Sequence, residues 1–121
     1  MKELVVWIEI PVSDFQRAVK FYNIVLKTEI ATEPMGKDLM GFFQLEGYGS
    51  SGAIVKGEEY KPGSNGPLVY LSLEDDIKEV LNRVVEAGGK VIKPKFLVSD
   101  AIGYIAVFED SEGNRIALHS K

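Results

Sequence analysis

Trp7 and Glu9 stand out near the start of the chain because they combine a large aromatic side chain with a carboxylate. The segment Leu4 to Ile10 is rich in β-branched and aromatic residues, which predicts a strand. A period of two places Trp7 and Glu9 on one face of that strand, opposite the apolar Ile8. Glutamate is disfavoured in strands and costly to bury unpaired, so a Glu9 that lines a cavity would be a general base. The alternatives are an ion pair with a basic residue of a neighbouring strand, or a solvated strand end.

His119 is the only histidine of the chain. It lies on a strand predicted from Arg115 to His119, and alternation places it on the same face as Ala117. Imidazole changes its charge near neutral pH and can serve as an acid, a base or a metal ligand. The alternative is a partly exposed histidine near the end of the chain that takes no part in chemistry.

Aromatic side chains could build an apolar pocket for a small molecule. Trp7 is the strongest candidate, because its indole N–H requires a hydrogen-bond partner. For each of the others the alternative is a place in the core; these candidates are Phe42, Phe43, Tyr48 and Tyr104.

Composition excludes several classes of function. The 121 residues are 45% apolar and 26% charged, which is ordinary for one globular domain. The net charge of −4 and the absence of a Lys/Arg cluster argue against a nucleic-acid partner. No apolar run reaches the length of a membrane span, and the N-terminus lacks the regions of a signal peptide. Without cysteine the chain has no disulfide, thiolate metal site or thiol nucleophile, and we expect a cytoplasmic protein.

The elements that would position these residues form two similar halves. A capping box at Ser13 and Gln16 predicts a helix that runs to about Leu26. A second helix should open at Asp75-Asp76 and end at Gly88-Gly89. The remaining strands are predicted at 28–32, 39–45, 52–56, 68–73, 90–92, 104–108 and 115–119, with a turn at 34–38.

Shifting the first half by 62 residues superimposes the two halves: Asp14-Phe15 falls on Asp76-Ile77, and Met40-Gly41-Phe42 on Ile102-Gly103-Tyr104. Both halves read β-α-β-β-β. We therefore predict an α+β fold and a single domain over 1–121, made of modules 1–58 and 66–121. The Gly/Pro-rich segment 59–65 is the linker between them.

Three motifs carry a resemblance that covers the whole chain. Val12-Ser13-Asp14 followed by Phe21-Tyr22 resembles an opening "V-x-D … F-Y". Asp75-Asp76-Ile77 to Ala87-Gly88-Gly89 resembles a "D-D … A-A-G" helix, and Asp110 to Ile116 a closing "D-P-x-G-N-x-I" turn and strand. The chain is similar to the glyoxalase I / bleomycin resistance / extradiol dioxygenase (vicinal oxygen chelate, VOC) superfamily. Within it, the sequence resembles glyoxalase-like proteins without an assigned reaction.

The resemblance implies that the two modules curl into an incomplete mixed β-barrel around a cavity, with one helix packed on each module. It also implies a homodimer, since the lone edge strands of each half would gain from pairing. Many members hold a divalent metal in the cavity, bound by His and Glu side chains, which acts as a Lewis acid on the substrate.

This chain departs from the family at the metal positions. The ligands of the metal-binding members would fall at Trp7, Val69 and Ala117, with the fourth around Ala53 to Val55. None of these side chains binds a metal, so the resemblance implies the fold and argues against a tightly bound metal.

Two readings of the site remain open. The first is a small-molecule binding protein without a cofactor, whose cavity takes an apolar or aromatic ligand beside Trp7; Phe42, Tyr48, Val69, Tyr104 and Ala117 are the further candidate ligand-binding residues. The second is a lyase or isomerase of the glyoxalase type, with Glu9 and His119 as catalytic residues. There, a weak divalent metal such as Zn, Ni, Mn or Fe could bind between Glu9 and His119, although two protein ligands alone hold a metal weakly. A third possibility is a structural dimer with a filled cavity.

Overall fold

The chain folds into two successive βαβββ units, in the element order that the repeat predicts. A computed structural model describes residues 2–45 and 49–121. The first unit comprises β1 (Ile8–Pro11), α1 (Phe15–Leu26), β2 (Ala31–Met35), β3 (Asp38–Leu45) and β4 (Gly49–Lys56). The second comprises β5 (Val69–Ser72), α2 (Ile77–Glu86), β6 (Lys90–Ser99), β7 (Gly103–Glu109) and β8 (Arg115–Ser120).

Each unit contributes one mixed sheet, in the orders β1-β4-β3-β2 and β5-β8-β7-β6. The first strand of each unit runs parallel to the last, with Ile10 opposite Ile54 and Leu71 opposite Leu118. The other neighbours are antiparallel. The predicted α+β class is confirmed, and in the described part of the chain the two sheets do not close into a barrel. Neither described helix is long and apolar enough to cross a membrane.

Both helices pack on one face of the sheets and form a shared core. Phe21 of α1 contacts Tyr22 edge-on and also lies against Phe108 of β7, with ring centroids 5.0 and 6.2 Å apart. Ile54 and Leu118 bring the two sheets into the same cluster. Burial of these apolar side chains is the main stabilising contribution to the fold.

Helix α1 begins one residue later than the capping box predicts. Asp14 is the N-cap, and its carboxylate accepts a hydrogen bond from the Arg17 backbone N–H at 3.1 Å. The prediction of Ser13 as the cap is therefore wrong. The Ser13 hydroxyl instead donates to Glu112 at 3.1 Å, a residue of the second unit.

Several strand predictions are wrong at their ends. The strand expected from Leu4 begins only at Ile8, because residues 4–7 pair with no strand in the described part of the chain. The strand expected at 28–32 lies at Ala31–Met35 and includes Pro34, and the one expected at 90–92 extends to Ser99 through Pro94. Both prolines sit on edge strands, where the missing N–H costs no ladder hydrogen bond.

The turn after β7 joins the two units. The Glu112 carboxylate, whose side chain is 0% exposed, accepts hydrogen bonds from the backbone N–H groups of Ser13 and Asp14 at 3.1 and 2.8 Å. The Arg17 guanidinium donates to both of its oxygens, at 2.7 and 3.0 Å. These hydrogen bonds to the buried Glu112 carboxylate anchor the second unit to the first turn of α1.

A second buried carboxylate completes this joint. Asp110 accepts a hydrogen bond from the Tyr22 hydroxyl at 2.5 Å, and from the backbone N–H groups of Glu112 and Asn114 at 2.9 Å each. The side-chain amide of Asn114 donates to the Pro11 carbonyl at 2.8 Å. Asp110 therefore ties the turn to α1, and Asn114 ties it to the end of β1.

Candidate functional site

The sheet register places Glu9 on the face of the first sheet that the helices leave uncovered. Glu9 lies opposite Ala53 of β4, and Ala53 opposite Phe42 of β3. Residues opposite one another share a face. The next residue along β1, Ile10, is buried in the core on the other side. The alternation predicted for this strand is therefore correct where the strand forms, and we call the uncovered surface the Glu9 face.

Two aromatic donors hold the Glu9 carboxylate. The Tyr60 hydroxyl donates to Oε1 at 2.6 Å, and the indole N–H of Trp7 donates to Oε2 at 3.2 Å. The Trp7 ring also contacts Phe42, with centroids 6.2 Å apart and an interplanar angle of 58°. The hydrogen bond to Glu9, together with burial, raises the pKa of Tyr60 to about 12, so this hydroxyl remains a donor at neutral pH.

A cleft lies between the edge of the first sheet and the edge of the second. Its volume is about 700 Å³, within the usual range for small-molecule sites. One wall is formed by Val5 to Ile8 and the other by Pro67 to Leu73. Phe43 also lines it, and the lining is mostly apolar. Trp7 is 40% exposed and belongs both to this cleft and to the Glu9 face.

His119 lies at a second, smaller cavity of about 390 Å³. Its Nε2 atom is 2.6 Å from the carbonyl oxygen of Ile102, which fixes the ring. Tyr70 and Ser72 line both cavities, so the two adjoin along β5. Among the described residues no hydrogen bond or ion pair joins His119 to Glu9, whose partners are Tyr60 and Trp7.

The structure places the other predicted ligand-binding residues in different surroundings. Val69 lines the cleft. Ala117 lies opposite Tyr70 on the cavity side of the second sheet but is fully buried. Tyr104 packs against the core and lines neither cavity. The Lys95 ammonium lies over its ring, 4.6 Å from the ring centroid. Tyr48 lies outside the described residues.

The residues at the family's metal positions do not fit a metal ion. Trp7, Val69 and Ala117 offer no carboxylate, imidazole or thiolate. Across the described residues there is no group of three or more His, Cys, Asp or Glu side chains that could hold an ion.

Sequence reasoning missed Tyr60, Tyr70 and Ser72. Tyr60 stands near the start of the segment interpreted as a linker. A β-bridge between Gly57 and Tyr60 turns the chain back there, and the Tyr60 hydroxyl reaches Glu9 of β1. An aromatic residue inside a Gly/Pro-rich segment was the available signal. Tyr70 is 52% exposed because alternation along β5 turns it away from the core.

Comparison with known proteins identifies the family. Residues 4–118 match the model of the Glyoxalase/Bleomycin resistance protein/Dioxygenase superfamily. A glyoxylase-like domain-containing protein of Didymella fabae is 30% identical over 118 residues, which cover 92% of this chain and 88% of that protein.

Solved structures share the fold. A hypothetical protein from S. aureus superimposes with a TM-score of 0.69 at 22% identity, covering 100% of this chain and 99% of the other. A glyoxalase/bleomycin resistance protein from Albidiferax ferrireducens gives 0.69 at 17% identity, covering 96% and 98%. A glyoxalase I variant from Zea mays gives 0.73 at 17% identity, covering 97% of this chain but 44% of that longer one.

Proposed function

Because the chain belongs to the glyoxalase/bleomycin resistance protein/dioxygenase superfamily, we propose that it binds a small apolar or aromatic molecule without a tightly bound metal. The observation that carries the proposal is the cleft of about 700 Å³ between the sheet edges, with Trp7 in its wall. Apolar lining with a few placed polar groups is the usual composition of a small-molecule site. The Glu9 carboxylate and the Tyr60 hydroxyl lie beside the cleft rather than in its lining, and they are joined to it through Trp7, whose indole N–H donates to Glu9.

Binding of N-phenyl-1-naphthylamine, an uncharged fluorescent probe, tests this proposal. We expect its emission to rise with wild-type protein and the rise to be strongly reduced in Ser72→Phe, which narrows both cavities without touching the buried core. Val85→Ala is the matched control, since Val85 is an exposed apolar residue of α2 that lines neither cavity. Equal emission in all three proteins would contradict binding in the cleft.

A lyase or isomerase with Glu9 as general base is the second candidate. The observation that favours it is an exposed carboxylate held in one orientation by two donors, which is how a positioned base is arranged. Glu9→Gln separates the two functions. Loss of a measurable turnover with ligand binding retained would support the enzyme, whereas binding without turnover in either protein would support the binding protein.

We further propose a homodimer. The outermost strands β2 and β6 carry Pro34 and Pro94, which discourage pairing with another chain, but the segment 4–7 ahead of β1 has neither proline nor charge. Leu4 and Val6 are 83% and 74% exposed in the single chain. A second copy of the chain would cover this apolar edge and satisfy its backbone hydrogen bonds.

Light scattering coupled to size exclusion measures the assembly. We expect a dimer for the wild type and a monomer for Val6→Lys, because a lysine at an edge opposes strand pairing. Val85→Lys places the same charge on α2 and should leave the dimer intact. A monomeric wild type at micromolar concentration would refute the dimer.

A further inference from the structure

We propose that the ligand carries a positively charged amine, which the Glu9 carboxylate holds against the rings of Trp7 and Tyr60 while the apolar body of the ligand occupies the cleft. The inference rests on the proposed function, since it names the chemistry of the ligand at the same site. Three features of that site carry it: an uncompensated charge, free acceptor positions and aromatic walls.

The charge of Glu9 has no cationic partner among the described residues. None of the ion pairs in the described part of the chain includes Glu9. The described strands of the first sheet contain one basic residue, Lys56, which lies opposite Leu39 and therefore points away from the Glu9 face. Glu33, opposite Met40, adds a second carboxylate to that face. The surface therefore favours a cation and opposes an anion.

The two protein donors leave acceptor capacity on Glu9. An ionised carboxylate offers about four lone-pair positions, and Tyr60 and Trp7 use one on each oxygen. Both donors are neutral, so they orient the carboxylate without cancelling its charge. An ammonium group could donate to the remaining positions, and a charge-assisted hydrogen bond is roughly twice as strong as a neutral one.

The aromatic groups beside Glu9 complete the argument. Trp7 is the best cation-π partner among the side chains, and its contact with Phe42 fixes the ring at the mouth of the cleft. An ammonium group near the Glu9 carboxylate would lie close to the rings of Trp7 and Tyr60. From Trp7 the apolar lining continues past Ile8 to Leu71, which gives an uncharged body room to follow the charged end.

Three probes that share a phenyl ring and differ in the charge of the end group test the inference: 2-phenylethylammonium, 2-phenylethanol and 3-phenylpropionate. Isothermal titration measures their affinities. The fluorescence of Trp7, the only tryptophan, reports whether binding occurs at this site. We expect the ammonium to bind about tenfold or more tightly than the alcohol, and the carboxylate to bind least.

The Glu9→Gln variant assigns the preference to this carboxylate. The amide keeps the size and removes the charge, so the affinity for 2-phenylethylammonium should fall about tenfold, to that of the alcohol. The affinity for 2-phenylethanol should stay unchanged. Glu86→Gln, which removes an exposed carboxylate from α2 and lines neither cavity, should alter neither affinity.

Failure of the inference and failure of the proposed function give different results. If the alcohol binds as tightly as the ammonium, or Glu9→Gln leaves the ammonium unaffected, the amine inference is wrong and small-molecule binding stands. A protein that takes up N-phenyl-1-naphthylamine but not 2-phenylethylammonium also refutes the inference alone. If none of these probes binds, both the amine inference and the proposed small-molecule binding are wrong.

Discussion

Replacing Glu112 by Gln perturbs the joint between the two βαβββ units at its centre. The carboxylate is fully shielded from solvent and accepts hydrogen bonds from Ser13, Asp14, Arg17 and Ser111. Glutamine keeps the volume, but it carries no charge for Arg17. Its amide group would also present donors where the protein supplies donors. We therefore expect a stable fold with a weakened joint.

The size of the effect follows from the acidity of Glu112. Burial by itself would raise the pKa of this carboxyl, but the hydrogen bonds from Arg17, Asp14, Ser111 and Ser13 outweigh burial and lower the pKa from 4.5 to about 2. A difference of about 2.5 units corresponds to about 3 kcal/mol of folding free energy at neutral pH. Natural domains are stable by about 5–15 kcal/mol, so the loss is large enough to measure.

The pH dependence has a defined sign. The pKa of Glu112 is lower in the folded state than in the unfolded state, so its stabilisation is complete above about pH 5 and is lost as the pH falls from there to about 2. Urea unfolding at a series of pH values measures the free energy of unfolding. Glu112→Gln should be about 3 kcal/mol less stable at neutral pH, and the two proteins should converge near pH 2.

The control and the refuting outcome are equally specific. Glu86→Gln removes an exposed carboxylate of α2 and should follow the wild-type curve within about 0.5 kcal/mol. A Glu112→Gln protein as stable as the wild type at neutral pH, or one whose difference from the wild type does not shrink in acid, would refute the reasoning. The charged hydrogen bonds of Glu112 would then not stabilise the joint.

Three further predictions each concern a single substitution. Tyr22→Phe removes one donor from the buried Asp110 and should cost about 1–3 kcal/mol in urea unfolding; an unchanged stability would contradict this role. Glu9→Gln should bring the pKa of Tyr60 from about 12 towards 10, as followed by comparing the ultraviolet absorbance of tyrosinate in the variant and the wild type, and an unchanged titration curve would exclude Glu9 as the cause. Gly88→Ala should destabilise the protein by about 1 kcal/mol, because Gly88 has a φ of +102°; a neutral result in thermal unfolding would show that the turn relaxes.

The repeat allowed the fold to be predicted from the sequence because each half carries the same helix signals. Asp14 and Asp76 cap the two helices, and Gly88 ends the second in a conformation that glycine adopts readily. The ends of the strands were predicted less well because an edge depends on its neighbour. Residues 4–7 have a strand-like composition yet pair with none of the strands that the structure describes, and β6 continues through Pro94 because only one of its sides is paired within its sheet.

The candidate site was predicted only in part, because its second half comes from a distant segment. The predicted alternation placed Trp7 and Glu9 on one face, and a hydrogen bond joins them in the structure, although Trp7 precedes β1. No local pattern reveals that Tyr60, 51 residues further along the chain, reaches the same carboxylate. Tyr104 illustrates the opposite error. An aromatic residue on a strand can face either side, and here it faces the core, where Lys95 covers its ring.

The turn that resembles the family's closing motif connects the site to the joint between the two units. The Asn114 side chain donates to the carbonyl of Pro11, the last residue of the strand that carries Glu9. Its own oxygen accepts the backbone N–H of Gly63, three residues beyond Tyr60, at 3.0 Å. Asn114 therefore fixes both segments that meet at the Glu9 carboxylate. The buried asparagine of this turn thus has a structural role that does not depend on metal ligation.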